Sequence, residues 1–311
     1  MGIALVFPGQ GSQAVGMGKE LAEAFPTARA VFEEVDDVLD QKLSTLMFEG
    51  PDDELRLTEN AQPALMAVSI AVMRVLEEGG FKLSEKADLV AGHSLGEYSA
   101  LAAAGTFSLA ETARLLKIRG LAMQEAVPVG QGAMAALMGL TFDQAKTVAA
   151  EAAEDQVCQA ANDNADGQVV ISGHEEAIER ALKIAAEHGA RKSVKLPVSA
   201  PFHCALMQPA ADAMRDALTE SEMADPVVPL VPNVAAHKVD QADVIRRMLV
   251  EQVCGTVRWR ESVLYMGEQG IDRLIEVGSG KVLSGLVRRI NKSIKGQSVG
   301  SPADIEALLA E

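Results

Sequence analysis

The stretch Asp88-Leu-Val-Ala-Gly-His-Ser94-Leu-Gly96 decides the fold. Asp88 to His93 is a short apolar run suited to a strand buried on both faces, and Leu95 to Ala104 reads as helix ended by Gly105. A G-x-S-x-G sequence set between strand and helix makes a nucleophile elbow. Its glycines allow the tight turn, and the helix start offers amide N–H groups beside Ser94 Oγ that can hold an oxyanion. The competing reading is a turn serine that caps a helix, and the strand–turn–helix setting favours the nucleophile.

Working outward, Ile3 to Phe7 is a second buried strand, stopped by Pro8-Gly9. Helical patterning runs from Gly18 to Leu39 and from Ala61 to Leu76, and Ser108 with Glu111 forms a capping box for a helix to about Glu125. Strands separated by helices predict a parallel sheet. Between Val129 and Val198 the rhythm changes to strand (Gly132–Leu140), helix (Phe142–Glu154), strand (Val157–Ala161), strand (Gln168–Ser172), helix (His174–His188) and strand (Arg191–Leu196). A turn at Asn164-Ala-Asp-Gly167 joins the middle strands, and Ser172 with Glu175 can cap the second helix. The order βαββαβ is that of a ferredoxin-like unit. Core strands resume at Val227–Val231 and Ile271–Val277, so residues 129–197 read as an insertion into an α/β core of residues 1–128 and 198–311.

The 311 residues carry 28 Lys+Arg against 44 Asp+Glu, a net charge of −16, which argues against nucleic acid and against anionic membrane surfaces. With 48% hydrophobic residues the chain can bury a large core. Three widely spaced cysteines (Cys158, Cys204, Cys254) offer neither a disulfide framework nor a metal-ligand pair and predict a reducing compartment. Met1 to Pro8 has no basic region and reads as a strand rather than a signal peptide, and nothing approaches the roughly eighteen apolar residues of a membrane span. The expected setting is the cytoplasm.

A nucleophilic serine needs a base. His174 and His188 sit at the ends of an amphipathic helix, and the His93 side chain should point away from Ser94 at the turn. His203 stands in a Pro-rich loop where the chain returns to the core, and on spacing alone it competes evenly with His237. Arg119 falls within an apolar stripe beside Leu115, Leu116, Ala122 and Met123, so it needs a buried partner, either a structural ion pair or a substrate carboxylate. Arg114 reads as solvated. Gly9-Gln-Gly11-Ser-Gln-Ala14 matches the dinucleotide fingerprint, but Val31 to Leu39 continues helically where a second strand is required, so no nucleotide cofactor is expected. The same loop can offer amides to an oxyanion.

Phe7-Pro-Gly-Gln-Gly-Ser-Gln13, Gly92-His-Ser-Leu-Gly96, Asn162-Asp-Asn164 before Gly167-Gln-Val-Val170, Ala200-Pro-Phe-His203 and Glu276-Val-Gly-Ser-Gly-Lys281 together resemble the malonyl-CoA:acyl carrier protein transacylase family over nearly the whole chain. Ser279 stands where relatives often have proline. The resemblance implies an α/β-hydrolase-like parallel-sheet core with a ferredoxin-like insertion. It implies Ser94 as nucleophile, His203 as base, and Gln252 as its orienter through the backbone carbonyl. The N–H groups of Gln10 and Leu95 would form the oxyanion hole, Arg119 would clamp a malonyl carboxylate, and Asn162 and Asn164 would give polar support. In related acyltransferases a Phe before the histidine goes with malonyl, so Phe202 implies malonyl over methylmalonyl.

The implied activity is ping-pong transfer of malonyl from malonyl-CoA to the phosphopantetheine thiol of acyl carrier protein, with no bound cofactor or metal. A chain without fused synthase domains points to fatty-acid synthesis. The rival is a serine esterase or thioesterase, whose histidine usually comes late in the chain. Carrier proteins are typically acidic, so docking needs a basic face: Lys281, Arg288, Arg289, Lys292 and Lys295 lie in a run without Asp or Glu, and Arg191, Lys192 and Lys195 form a smaller cluster. A solvated helix face is the plainer reading of such a run.

Overall fold

In the computed structural model, which describes residues 2–198 and 200–311, the strands are β1 (Gly2–Phe7), β2 (Leu89–Gly92), β3 (Gly132–Met138), β4 (Cys158–Ala165), β5 (Gln168–His174), β6 (Lys192–Lys195), β7 (Ile271–Val277) and β8 (Lys295–Val299). They form two sheets. One is parallel in the order β2-β1-β7-β8, and the other is antiparallel in the order β4-β5-β3-β6.

The central parallel strands β1 and β2 are apolar, and β7 is buried from Leu274 to Val277, because both faces are covered there. Alternate residues feed opposite sides: Leu5, Phe7, Val90 and Ile275 enter one core cluster, while Ala4, Val6, Ala91 and Leu274 enter a second around Trp259 and Leu286. The antiparallel sheet has its own core, with Ala135, Leu137 and Ile171 packed against Val148 and Ile178. Its other face turns Met134, Ala161 and Val170 toward the main cluster.

The antiparallel unit is stitched to the rest along β4. Val257 N donates to Ala161 O (2.8 Å), Asp163 N donates to Val257 O (2.9 Å), and Thr256 Oγ1 donates to Ala160 O (2.7 Å). Arg260 adds an ion pair to the buried Asp163 carboxylate at 2.8 Å.

Several expectations are corrected. The Gly18–Leu39 helix is two helices, Lys19–Ala24 and Pro26–Leu39, because Pro26 forces Phe25 into extended backbone. Val227–Val231 is no strand: it lies among Pro226, Pro229 and Pro232, which lack N–H donors, and only Leu230 bridges to Val90. β4 runs on through Asn162 and Asn164, so the turn is Asp166-Gly167. Ser108 Oγ accepts from Glu111 N (3.1 Å), yet the Glu111 carboxylate takes Ser221 Oγ at 2.5 Å, leaving half a capping box. Ser172 is buried in β5 and caps nothing; His174 precedes the Glu175–Glu187 helix without a side-chain cap. The polar edge strand β8 gave no apolar signal.

Candidate active site

Phe7 pairs with Gly92 across β1 and β2, so the chain leaves both strands side by side at the sheet's carboxyl edge. There the backbone folds on itself. A Cβ on Gly92 would lie 1.9 Å from the Gly96 carbonyl, and one on Gly96 would lie 2.2 Å from Phe7 O, so both positions require glycine. Ser94 between them has φ 54°, the left-handed region that a non-glycine residue enters only when its surroundings hold it there. The Val-Gly-Ser-Gly loop after β7 braces the Gln10 loop, with Ser279 Oγ donating to Ser12 O at 2.8 Å.

Ser94 Oγ lies 2.7 Å from His203 Nε2, and His203 Nδ1 lies 2.9 Å from Gln252 O. A carbonyl only accepts, so Nδ1 carries the proton and Nε2 is left to accept from the serine hydroxyl. His203 is 4% exposed. Burial, reinforced by the Arg119 charge, pushes its imidazole down to about 3, so it is neutral. His237 is exposed and faces Ala235 O instead.

Arg119 is 1% exposed and hydrogen-bonds no carboxylate among the described residues. Nη1 donates to Gln62 Oε1 (2.7 Å), and Nη2 donates to Gln252 Oε1 (2.8 Å) and to Ser94 Oγ (3.1 Å). The guanidinium lies 5.7 Å from the Tyr98 ring centre, and Nε is unpartnered among the described residues. Gly120 makes this possible: a Cβ there would sit 2.5 Å from Glu59 Cα, so its absence lets the Leu109–Glu125 and Thr58–Glu78 helices close until Gln62 reaches Arg119.

A cleft of about 420 Å³ opens over Ser94, lined by Gln10, Asn162, Met134, Leu196 and His203 among others. Leu95 is buried at the start of the Gly96–Ala103 helix. Asn162 is buried, and Asn164 Oδ1 lies 2.8 Å from His93 Nε2. His93 is therefore a half-buried part of the cleft lining, and burial lowers its pKa. Phe202 is buried in the main core cluster beside His203 and is not among the cleft-lining residues. Lys281, Arg288 and Arg289 are exposed and do not line this cleft, and Arg289 reaches Gln168 Oε1 at 2.6 Å. Among the described residues no cluster of three or more metal-capable side chains gathers, and no helix is long and apolar enough to cross a membrane.

Sequence reasoning missed Gln62, Glu97 and Asn233, all buried around the serine. Gln62 and Glu97 had a signal, since each is a polar residue inside an apolar helical run. Asn233, after Pro232, reads as any turn residue.

A family model described as an acyl transferase domain matches residues 4–304. The chain is 45% identical over 305 residues to the malonyl CoA-acyl carrier protein transacylase of Bacillus subtilis (strain 168), covering 98% of this chain and 95% of that protein. It is 45% identical over 306 residues to the Escherichia coli (strain K12) protein of the same name, covering 98% of each. The acyl-carrier-protein-S-malonyltransferase from Bartonella henselae has the same fold at TM-score 0.98 and 57% identity, covering 100% of this chain and 99% of that one. A malonyl-transacylase solved in complex with a type II PKS acyl-carrier protein matches at TM-score 0.96 and 44% identity, over 100% of this chain and 99% of that one. The chain belongs to the malonyl-CoA:acyl carrier protein transacylase family.

Proposed function

We propose that this chain is an S-malonyltransferase that carries malonyl from malonyl-CoA to the phosphopantetheine thiol of acyl carrier protein, in fatty-acid biosynthesis and in the cytoplasm. One observation carries the reading: Ser94 Oγ stands between a neutral imidazole at 2.7 Å and a buried guanidinium at 3.1 Å. The first arrangement activates an acyl acceptor, and the second suits an acyl group ending in carboxylate.

In the first half-reaction the Ser94 hydroxyl gives its proton to His203 Nε2 as Oγ attacks the thioester carbon. Among the described residues no hydrogen bond uses the Gln10 or Leu95 N–H, which supports these two as donors to the oxyanion. Collapse breaks the C–S bond, and the coenzyme A thiolate takes the proton from His203. The carrier thiol then returns a proton to His203, attacks the malonyl ester and releases Ser94, which is reprotonated. The chemistry as drawn uses no metal or cofactor, and malonyl-CoA enters as substrate. Asn162 and the His93–Asn164 pair form a polar wall of the cleft, and the buried Phe202, which does not line the cleft, gives no support to a choice of malonyl over methylmalonyl.

The elbow after a parallel strand supports an α/β-hydrolase-like description of residues 1–128 and 198–311. The strand order β4-β5-β3-β6 and the separate core support a ferredoxin-like insertion over 129–197. We place carrier docking on the exposed Lys281, Arg288 and Arg289. The Arg289–Gln168 bond brings their helix against the insertion, and Lys192 pairs with Met138 opposite Gln168, so both basic clusters share one face. Lys195 adds less, being paired with Glu175 and Glu179.

The esterase reading is disfavoured because the histidine partner is a carbonyl and not a carboxylate. Incubation with malonyl-CoA and holo carrier decides between them. Carrier-bound malonyl as the main product supports transfer, and free malonate as the main product overturns it.

A further inference from the structure

Glu97 is 0% exposed, one turn of chain beyond the nucleophile, and no step above uses it. Its Oε2 accepts from Asn233 N (2.9 Å) and from Gln252 Nε2 (3.1 Å), while Oε1 has no partner among the described residues. Each donor holds the reacting groups. Asn233 Oδ1 accepts the Ser94 N–H (2.7 Å) and its Nδ2 donates to Gly92 O (2.6 Å), so one amide clasps both sides of the strained elbow. The Gln252 side chain donates to Ser94 O (3.0 Å) and accepts from Arg119 Nη2 (2.8 Å), and the same residue's carbonyl fixes His203 Nδ1.

We propose that Glu97 is a positioning residue: through one oxygen it sets Asn233 and Gln252, and thereby the relative placement of nucleophile, base and guanidinium. The inference rests on the transferase reading for its substrate but not for its geometry. Its alternative is charge compensation, Glu97 serving as the buried counter-ion of Arg119. The two roles separate cleanly. Burial pushes the Glu97 carboxyl up to about 7 against the pull of the Asn233 and Gln252 donors and of Arg119, and either protonation form keeps an acceptor at Oε2. Acceptance of two hydrogen bonds, rather than charge, is then the requirement.

Glu97→Gln keeps length and can place its carbonyl oxygen on both donors, with the amide nitrogen where Oε1 is unpartnered. Glu97→Asp keeps the charge and withdraws the acceptor by one methylene. Positioning predicts that the Gln variant keeps kcat within about threefold, while the Asp variant loses about 10²-fold in kcat with a smaller change in KM for malonyl-CoA. Rates are taken per folded molecule, from thermal melts of the same samples, because a merely structural residue would lower the melting temperature and leave kcat of the folded fraction unmoved. An Asp variant as active as the Gln variant, or more so, overturns the proposal, as does an Asp variant with unchanged kcat. The same ordering is read in parallel from Ser94 acylation by p-nitrophenyl acetate. Wild-type protein that fails to load carrier therefore sinks the transferase reading while the Glu97 ordering is still decided.

Discussion

Ser94 gives one hydrogen bond to His203 and receives another from Arg119, and both neighbours are buried. With His203 held near 3, well below the ordinary 6.5, the base stays neutral as pH falls from 7 to 5. Acylation kcat/KM, which reports the free enzyme, should therefore change less than about twofold over that range, whereas an unperturbed histidine would lose about twentyfold. Glu97 gains its proton in the same window, and a flat profile also requires that gain to be silent. Arg119→Ala should lower kcat/KM for malonyl-CoA by about 10²-fold or more and leave acetyl transfer equal or raised, measured with both acyl-CoAs. Ser94, His203 and Arg119 were legible as residue types out of pattern: a serine at an elbow, a histidine at a return loop, an arginine in an apolar stripe. The choice of His203 over His237 needed either the family resemblance or the 2.7 Å contact, because spacing alone treats the two alike. Asn233 was illegible because its partners lie about 140 residues away in the chain, and nothing local marks such a contact.

At the scale of elements, the buried strands β1, β2 and β7 were readable because two covered faces demand continuous apolar runs. Edge elements were not. β8 is polar, and the Val227–Val231 segment looked apolar enough for a strand but spends its prolines where donors are needed. The elbow glycines carry a direct prediction. Gly96→Ala places a methyl 2.2 Å from Phe7 O, so it should lower the melting temperature and abolish acylation together. The seam between insertion and core carries another. Arg260→Ala leaves the Asp163 carboxylate, 1% exposed, without its cation, and burial then pushes that carboxyl further up. Urea unfolding should show a loss of about 2–3 kcal/mol, less than a fully buried pair would give because Arg260 is partly exposed. Asp163→Asn combined with Arg260→Ala should recover part of it.

For the whole molecule, a net charge of −16 leaves the exposed Lys281, Arg288 and Arg289 as the face proposed for carrier docking. Arg288→Glu with Arg289→Glu should raise KM for carrier protein about tenfold and leave the thermal midpoint nearly unchanged, since both side chains are exposed. An unchanged KM would remove this face from the docking account. The central claim is narrower: Ser94 holds malonyl as an ester and passes it to a thiol. Intact-mass and peptide analysis after brief exposure to malonyl-CoA tests it most directly. One malonyl group should appear on the Ser94 peptide, be absent from Ser94→Ala, and move to holo carrier when that is added. A malonyl group on another residue, or an adduct lost to water at the same rate with and without carrier, would contradict it.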